Sequence, residues 1–200
     1  MNLAPEDLAR ANCYAILARL FAAPPDAGFL AALAESVDAD AGAVAEAALP
    51  AAWRELGVAA AQSTADGARE EFGALFVAIG RPQVVLYASW YLTGFMMEKP
   101  LAALRDDLAA LGLARLDGVR EPEDHFAALM EAMRHLTGDA SRSEDERIAL
   151  QQRFFLAHID PWSEKLCDAL DAAAEAGLYR AAANFTRVFF ALEKYLFQVK

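Results

Sequence analysis

Apolar residues recur along most of the chain at the three- and four-residue spacing of an amphipathic helix, and strand-like alternation is almost absent. The first stripe predicts a helix from about Pro5 to Phe21, which Pro24-Pro25 would end. The clearest stripe predicts a helix from Pro122 to Leu136, with Pro122 in its first turn. Further helices are expected near residues 29–35, 38–49, 51–62, 65–79, 94–111, 143–159, 162–176 and 178–197. The pattern therefore predicts an all-α protein of roughly nine to ten helices.

Two segments interrupt this pattern. After Gly80-Arg81-Pro82, residues 84–92 are the only stretch with the composition of a strand, but they have no partner segment. We expect a loop there that leads into a short or irregular helix. The polar segment 137–147 is a candidate hinge, and Ser143 with Glu146 has the spacing of a helix-starting capping box.

The expected organisation is therefore a single helical domain spanning residues 1–200. A larger N-terminal part, 1–136, would precede the hinge at 137–147, and the C-terminal helices, 148–200, would follow it. Because a polar hinge precedes the C-terminal helices, two chains could exchange these helices. A homodimer of this kind is one alternative to a monomer.

The charge and composition limit the classes of partner. Acidic residues outnumber basic ones, 29 to 18, which argues against nucleic acid and is compatible with a basic peptide. No window approaches the roughly 18 consecutive apolar residues of a membrane span. The chain also begins with acidic residues, without the basic start of a secretory signal peptide. We expect a cytoplasmic protein with no stable membrane insertion, in which Cys13 and Cys167 are reduced.

Catalytic motifs are absent from the sequence. It has no phosphate-binding GxxxxGK[ST] loop, no GxGxxG, no GxSxG and no HExxH. The three histidines are scattered, and none follows a glutamate at the Glu-x-x-His spacing of a di-iron bundle. We therefore expect no enzyme, no metal site and no cofactor.

The first candidate cluster is Glu121-Pro122-Glu123-Asp124-His125. Proline with acidic neighbours is typical of a helix N-terminus, where the helix dipole stabilises negative charge. Carboxylates this close also repel one another, which favours a basic ligand. The residues alone leave both interpretations open.

The second candidate cluster combines Tyr87, Trp90, Tyr91 and Gly94 with the following Phe95-Met96-Met97. Aromatic and methionine side chains can form an adaptable apolar surface for peptides. They can equally belong to the core of a helical protein.

The order of several motifs resembles the TorD/DmsD family of molybdoenzyme-specific chaperones. In chain order the motifs are Tyr87-Ala-Ser-Trp-Tyr-Leu-Thr-Gly94, Pro100-Leu-x-x-Leu-Arg105, Gly112-Leu, Glu121-Pro-Glu-Asp-His125 and Phe154-Phe-Leu-Ala-His-Ile-Asp-Pro-Trp162. The last is similar to the family signature Phe-x-x-His-Leu-x-Pro-Trp, with Ile159 where leucine is common. The resemblance covers about Glu71 to the C-terminus.

This resemblance implies a TorD-like fold and a task. The task is to bind the twin-arginine signal peptide of a molybdenum-cofactor oxidoreductase subunit, to assist cofactor insertion and to delay export until folding is complete. The implied peptide-binding residues are Asp124, His125, Glu121, Pro122, Glu123, Tyr87, Trp90, Tyr91 and Gly94. The alternatives are a NarJ-like assembly chaperone for a non-exported nitrate reductase and an unrelated helical enzyme.

Overall fold

The computed structural model describes residues 3–39, 47–77, 82–115, 118 and 120–199. In these ranges it has ten helices and no strand, apart from an isolated bridge between Tyr87 and His125. The helices are α1 (Pro5–Ala22), α2 (Ala27–Ala39), α3 (Ala48–Gln62), α4 (Ala65–Phe76), α5 (Ala88–Thr93), α6 (Lys99–Ala110), α7 (Phe126–Gly138), α8 (Glu144–His158), α9 (Asp160–Ala172) and α10 (Leu178–Val199). The all-α prediction is confirmed. None of the described helices combines the length and apolar character that crossing a membrane requires.

The chain folds as two compact units. Unit 1 consists of Met1–Ala22, Leu86–Ser163 and Lys194–Lys200. Unit 2 consists of Ala23–Val85 and Glu164–Glu193. Helices α9 and α10 therefore each contribute residues to both units. Both candidate clusters of the sequence lie in unit 1.

In unit 1, α1 packs along α7, and α7 also contacts α8. The contact depends on the apolar stripes that the sequence shows, since residues three and four apart share a helix face. The rings of Phe21 and Phe126 meet edge to face with centroids 4.8 Å apart. The largest fully buried side chains of this unit are Trp162, Tyr14, Phe21, Phe126, Phe155, Leu17 and Leu20.

In unit 2, α2 packs against α3, and a carboxylate of α4 caps the start of α10. The Glu71 side chain accepts hydrogen bonds from the backbone amides of Gly177, Leu178 and Tyr179 at 2.8, 3.2 and 2.9 Å. These amides belong to the residue before α10 and to its first turn, where helical partners are missing and negative charge is favoured. A residue more than a hundred positions away thus supplies the cap, which no local sequence pattern reveals.

The predicted hinge, 137–147, contains ordered structure. The Ser143 side chain accepts a hydrogen bond from the Glu146 amide, and the Glu146 carboxylate accepts one from the Ser143 amide. This is the predicted capping box, and α8 begins directly after it. This segment and the residues directly before and after it all belong to unit 1. A division of the chain at this segment stays a prediction.

Several predicted helix boundaries are wrong, and the helix predicted at 162–176 is Asp160–Ala172. Pro50 does not separate two helices, because it lies in the first turn of α3, where a missing N–H group costs no helical hydrogen bond. Gly94 does not begin a helix, because its φ of +83° ends α5, and α6 begins only at Lys99. The helix predicted from Pro122 begins at Phe126.

The segment 84–92 agrees with its prediction, since a loop leads there into the short helix α5. The helix predicted at 65–79 ends already at Phe76, with Val77 in an extended conformation as its C-cap. Two predicted features lie partly outside the described residues: the helix at 38–49 and the Gly80-Arg81-Pro82 break.

Candidate functional site

The two candidate clusters lie side by side. The Phe126 N–H donates a hydrogen bond to the Leu86 carbonyl oxygen at 2.8 Å. The Ala88 N–H donates one to the Asp124 carbonyl oxygen at 3.0 Å. Backbone pairing therefore joins the start of α5 to the start of α7, as the order of motifs in the resemblance implies.

Asp124 is part of this junction. Its side chain is only 1% exposed. Its Oδ2 atom accepts a hydrogen bond from the Ser89 N–H at 2.9 Å and another from the Ser89 hydroxyl. Asp124 therefore caps the first turn of α5 and does not serve as a first-turn acid of the helix that follows it. Its Oδ1 atom is buried and accepts no hydrogen bond within the described part of the chain.

His125 sets the start of α7. Its backbone is extended, with φ −65° and ψ 136°, and its Nδ1 atom accepts a hydrogen bond from the Ala127 N–H at 3.2 Å. This N-cap conformation is why the helix does not reach back to Pro122. Burial lowers the pKa of His125, and the negative charges of Glu121 and Asp124 offset only part of that effect. The imidazole is neutral in this arrangement, because Nδ1 must be free of a proton to accept.

His125 should make the stability of the fold depend on pH. Its pKa in the folded state lies below the ordinary value of 6.5, so the unfolded chain binds the proton more readily. The contribution of the neutral side chain is complete above pH 6.5 and is lost as the pH falls through the folded pKa. His125→Asn keeps a capping oxygen and removes the titration. We expect the free energy of unfolding of the wild type, measured by urea denaturation, to fall more between pH 7.5 and 5.5 than that of the variant, by at most about 1.4 kcal/mol per pH unit. Equal pH slopes would refute this role.

The remaining acids of the first cluster have partners inside the chain. The Glu123 carboxylate accepts a hydrogen bond from Arg105 Nε at 2.9 Å, and Arg115 Nε lies 3.8 Å from it. Partial burial raises the pKa of Glu123, but the hydrogen bond from Arg105 and the positive charges of the two arginines lower it by more. The net pKa of Glu123 is therefore below its ordinary value. Glu121 accepts a hydrogen bond from the Tyr87 hydroxyl. The repulsion expected from the sequence is therefore relieved by intramolecular pairing.

The second cluster divides into a packed part and an exposed part. Tyr91 stacks on Trp162, with ring centroids 5.4 Å apart and an angle of 22° between the planes. Tyr87 meets His125 edge to face at 5.0 Å, and Trp90 is half-buried. On both sides of Gly94, the chain exposes four large apolar side chains, which we call the apolar patch: Leu92, Phe95, Met96 and Met97. The sequence left core and surface open for this segment, and the structure contains both.

A groove of about 720 Å³ runs beside the first cluster in unit 1. Glu121, Glu123 and His125 line it, together with a floor of small side chains. The floor residues are Ala15, Ala18 and Ala22 of α1 and Ala127, Ala128 and Ala132 of α7. Sequence reasoning missed these alanines because alanine is first of all a strong helix former. Their three- and four-residue spacing is the signal that could have revealed a shared face.

A smaller cavity of about 240 Å³ adjoins the second cluster in unit 1. Asp124 and Leu92 both line it, so the cavity connects the buried acid of the first cluster with the apolar patch. Asp107 and His158 also line this small cavity. Neither residue was among the site residues that the sequence predicted.

Comparison with known proteins assigns the family. The model of the family described as "Nitrate reductase delta subunit" matches residues 43–168, which is more than half of the chain and includes both candidate clusters. The chain therefore belongs to this family, to which the TorD and NarJ chaperones also belong. The resemblance drawn from the sequence motifs is confirmed.

Individual relatives agree with this assignment. Chaperone protein TorD from Vibrio cholerae O395 is 30% identical over 131 residues, which are 62% of this chain. The corresponding protein of the El Tor strain N16961 is 28% identical over the same length. The match spans 60% of the length of these curated relatives. A crystal structure from Archaeoglobus fulgidus, of a protein inferred to be a redox enzyme maturation protein, superposes with a TM-score of 0.57 at 16% identity over 90% of this chain and 93% of that one. This last likeness concerns the fold.

Proposed function

We propose that the protein is a cytoplasmic maturation chaperone that binds the twin-arginine signal peptide of a molybdenum-cofactor oxidoreductase subunit. It would hold the apoenzyme during cofactor insertion and delay export until folding is complete. One observation carries this proposal: an exposed apolar patch adjoins a cavity whose lining includes two acidic side chains, and Leu92 belongs to both. This surface matches a peptide that has a basic start and an apolar stretch.

The chemistry of the surface suits such a peptide. Phe95 and Met97 are 68% and 71% exposed, and flexible methionines adapt to varied apolar side chains. Carboxylates bind guanidinium groups through paired, charge-assisted hydrogen bonds. The net charge of −11 adds a long-range attraction for a basic segment. Binding of this kind requires no catalytic residue, so the protein would act without being an enzyme.

The predicted site residues take different parts in this proposal. Asp124 and His125 are both buried and each caps a helix at the junction, so both would position the site, and Asp124 also lines the small cavity. Pro122 belongs to the turn before α7, and its carbonyl oxygen accepts a hydrogen bond from the His125 N–H at 3.1 Å. Outside the small cavity, the parts that could touch a peptide are Tyr87, Trp90, Tyr91, Gly94, Glu121 and Glu123.

A titration of the apolar patch tests the proposal. Calorimetry with a synthetic twin-arginine signal peptide should give reversible binding of the wild-type chain in the micromolar range, about −8 kcal/mol. Phe95→Ser with Met97→Ser should weaken this binding about tenfold, because two exposed apolar contacts are lost. These positions are preferable to Asp124, whose replacement would also disturb the fold.

Val77→Ser is the matched control for the patch variant. Val77 is also largely exposed, but it lies in unit 2. The control should bind like the wild type. The proposal fails if the wild type does not bind the peptide, or if the patch variant binds it as tightly as the control does.

A second candidate function follows from the description of the family itself. A NarJ-like chaperone would bind the N-terminal segment of a nitrate reductase that is not exported. The match to the nitrate reductase delta subunit family favours keeping this alternative. The two candidates share the fold and differ in the peptide that the site accepts.

A further inference from the structure

The small cavity has a composition that none of the predicted functions explains. Three of its lining residues carry ionisable side chains: Asp107 of α6, Asp124 before α7 and His158 of α8. The other walls are apolar and include Leu92 and Leu104. Two carboxylates and one imidazole around a largely apolar space form a site for a cation that also has an apolar stem.

The Asp124 carboxylate is incompletely paired. Ser89 donates both of its hydrogen bonds to Oδ2, while Oδ1 is buried without any donor among the described residues. A buried carboxylate oxygen that accepts no hydrogen bond is costly, and a donor brought into the cavity would relieve this cost. Asp124 is therefore suited to receive a cation beside the cap that it already forms.

The second carboxylate is held at the edge of the same cavity. His158 Nε2 lies 2.6 Å from Asp107 Oδ2, and this contact joins α8 to α6. The Asp107 side chain is 59% exposed, whereas that of His158 is only 10% exposed. A cation entering from solvent would therefore meet Asp107 before it reaches the buried Asp124.

The arrangement favours an organic cation over a metal ion. No three His, Cys, Asp or Glu side chains in the described ranges are grouped closely enough to hold a metal. A guanidinium group is weakly hydrated, planar and able to contact more than one carboxylate, and the apolar walls suit its methylene stem. A volume of about 240 Å³ also has room for one long side chain.

We propose that the small cavity is the subsite for one arginine side chain of the bound peptide, with Asp107 and Asp124 as its counter-charges. This inference rests on the proposed function and adds the place where one arginine of the pair is recognised. Because Leu92 lines both the cavity and the patch, the apolar stretch that follows the arginines would lie over Phe95 and Met97.

Citrulline provides the probe, because it replaces the guanidinium with a neutral urea group of nearly the same shape. We would titrate three peptides: the twin-arginine peptide and two versions with citrulline at the first or second arginine. In the wild type, citrulline at the position that enters the cavity should weaken binding about tenfold or more. In Asp107→Asn, the same replacement should weaken binding only about threefold, because one counter-charge is already gone.

Asp106→Asn is the matched control, since it removes one charge from the neighbouring exposed position of α6 and does not line the cavity. It should retain the full citrulline penalty. If Asp107→Asn also retains the full penalty at both arginine positions, the subsite is refuted while the proposed function stands. If the twin-arginine peptide does not bind the wild type at all, both proposals fall together.

Discussion

Asp7→Ala is expected to lower the free energy of unfolding by about 3–5 kcal/mol, because it leaves a buried guanidinium without its counter-charge. Asp7 Oδ2 lies 2.5 Å from Arg147 Nη2, and both side chains are buried between α1 and α8. Arg147 Nε already lacks a hydrogen-bond partner among the described residues, so the buried Arg147 guanidinium depends on the charge of Asp7. Urea denaturation followed by far-ultraviolet circular dichroism measures the loss.

Glu6→Ala is the control for this prediction. Glu6 is an exposed acid in the same first turn of α1, so both variants remove one charge from the helix dipole. The control should change the free energy of unfolding by less than about 0.5 kcal/mol. Equal effects of the two variants would mean that the dipole, and not the pair with Arg147, accounts for the role of Asp7.

Trp162→Ala should cost a similar amount, about 3–5 kcal/mol, because it opens a large cavity in the core of unit 1. Trp162 is fully buried, stacks on Tyr91 and meets Phe126 edge to face at 5.9 Å. Its Nε1–H donates a hydrogen bond to the His158 carbonyl oxygen at 2.8 Å. The same denaturation experiment measures the effect.

Tyr195→Ala supplies the comparison for Trp162, since Tyr195 is an aromatic residue of unit 1 that is 64% exposed. We expect it to change stability by less than about 0.5 kcal/mol. A loss below about 1 kcal/mol in Trp162→Ala would contradict the packing described for the junction of α5 and α7. Because Tyr91 rests on Trp162, Trp162→Ala should also disturb the candidate site.

The helices could be predicted from the sequence because their signals are local. The stripe of α7 and the capping box of α8 involve residues three or four positions apart, and both are present as expected. The start of α7 was misplaced for the same reason. Proline with acidic neighbours has the local chemistry of a first turn, whereas the actual N-cap, His125, accepts its hydrogen bond through a ring nitrogen.

The candidate site could be predicted only in part. The resemblance indicated that the clusters near Tyr87 and Asp124 belong together, and the backbone hydrogen bonds between them agree with this expectation. The partners of the individual side chains could not be predicted, because they lie far apart in the chain. Asp124 binds Ser89, 35 positions away, and His158 meets Asp107, 51 positions away. Long-range pairing of this kind decides which acids are buried and which face solvent.

The division of labour at the site follows from these contacts. Buried caps at Asp124 and His125 hold α5 and α7 in place, and the exposed apolar patch extends from the end of α5. A variant that removes a cap should therefore alter stability first, whereas a variant of the patch should alter binding alone. Separate measurements of stability and peptide affinity for each variant distinguish the two roles.

The most direct test of the central claim is a competition between peptides. A fluorescently labelled twin-arginine signal peptide is bound to the wild-type chain and followed by fluorescence anisotropy. Saturable binding is expected, with displacement by the unlabelled peptide and much weaker displacement by a version that carries two lysines or by the N-terminal segment of a non-exported nitrate reductase. Absence of saturable binding, or stronger displacement by the nitrate reductase segment, would contradict the claim that this chain recognises a twin-arginine signal.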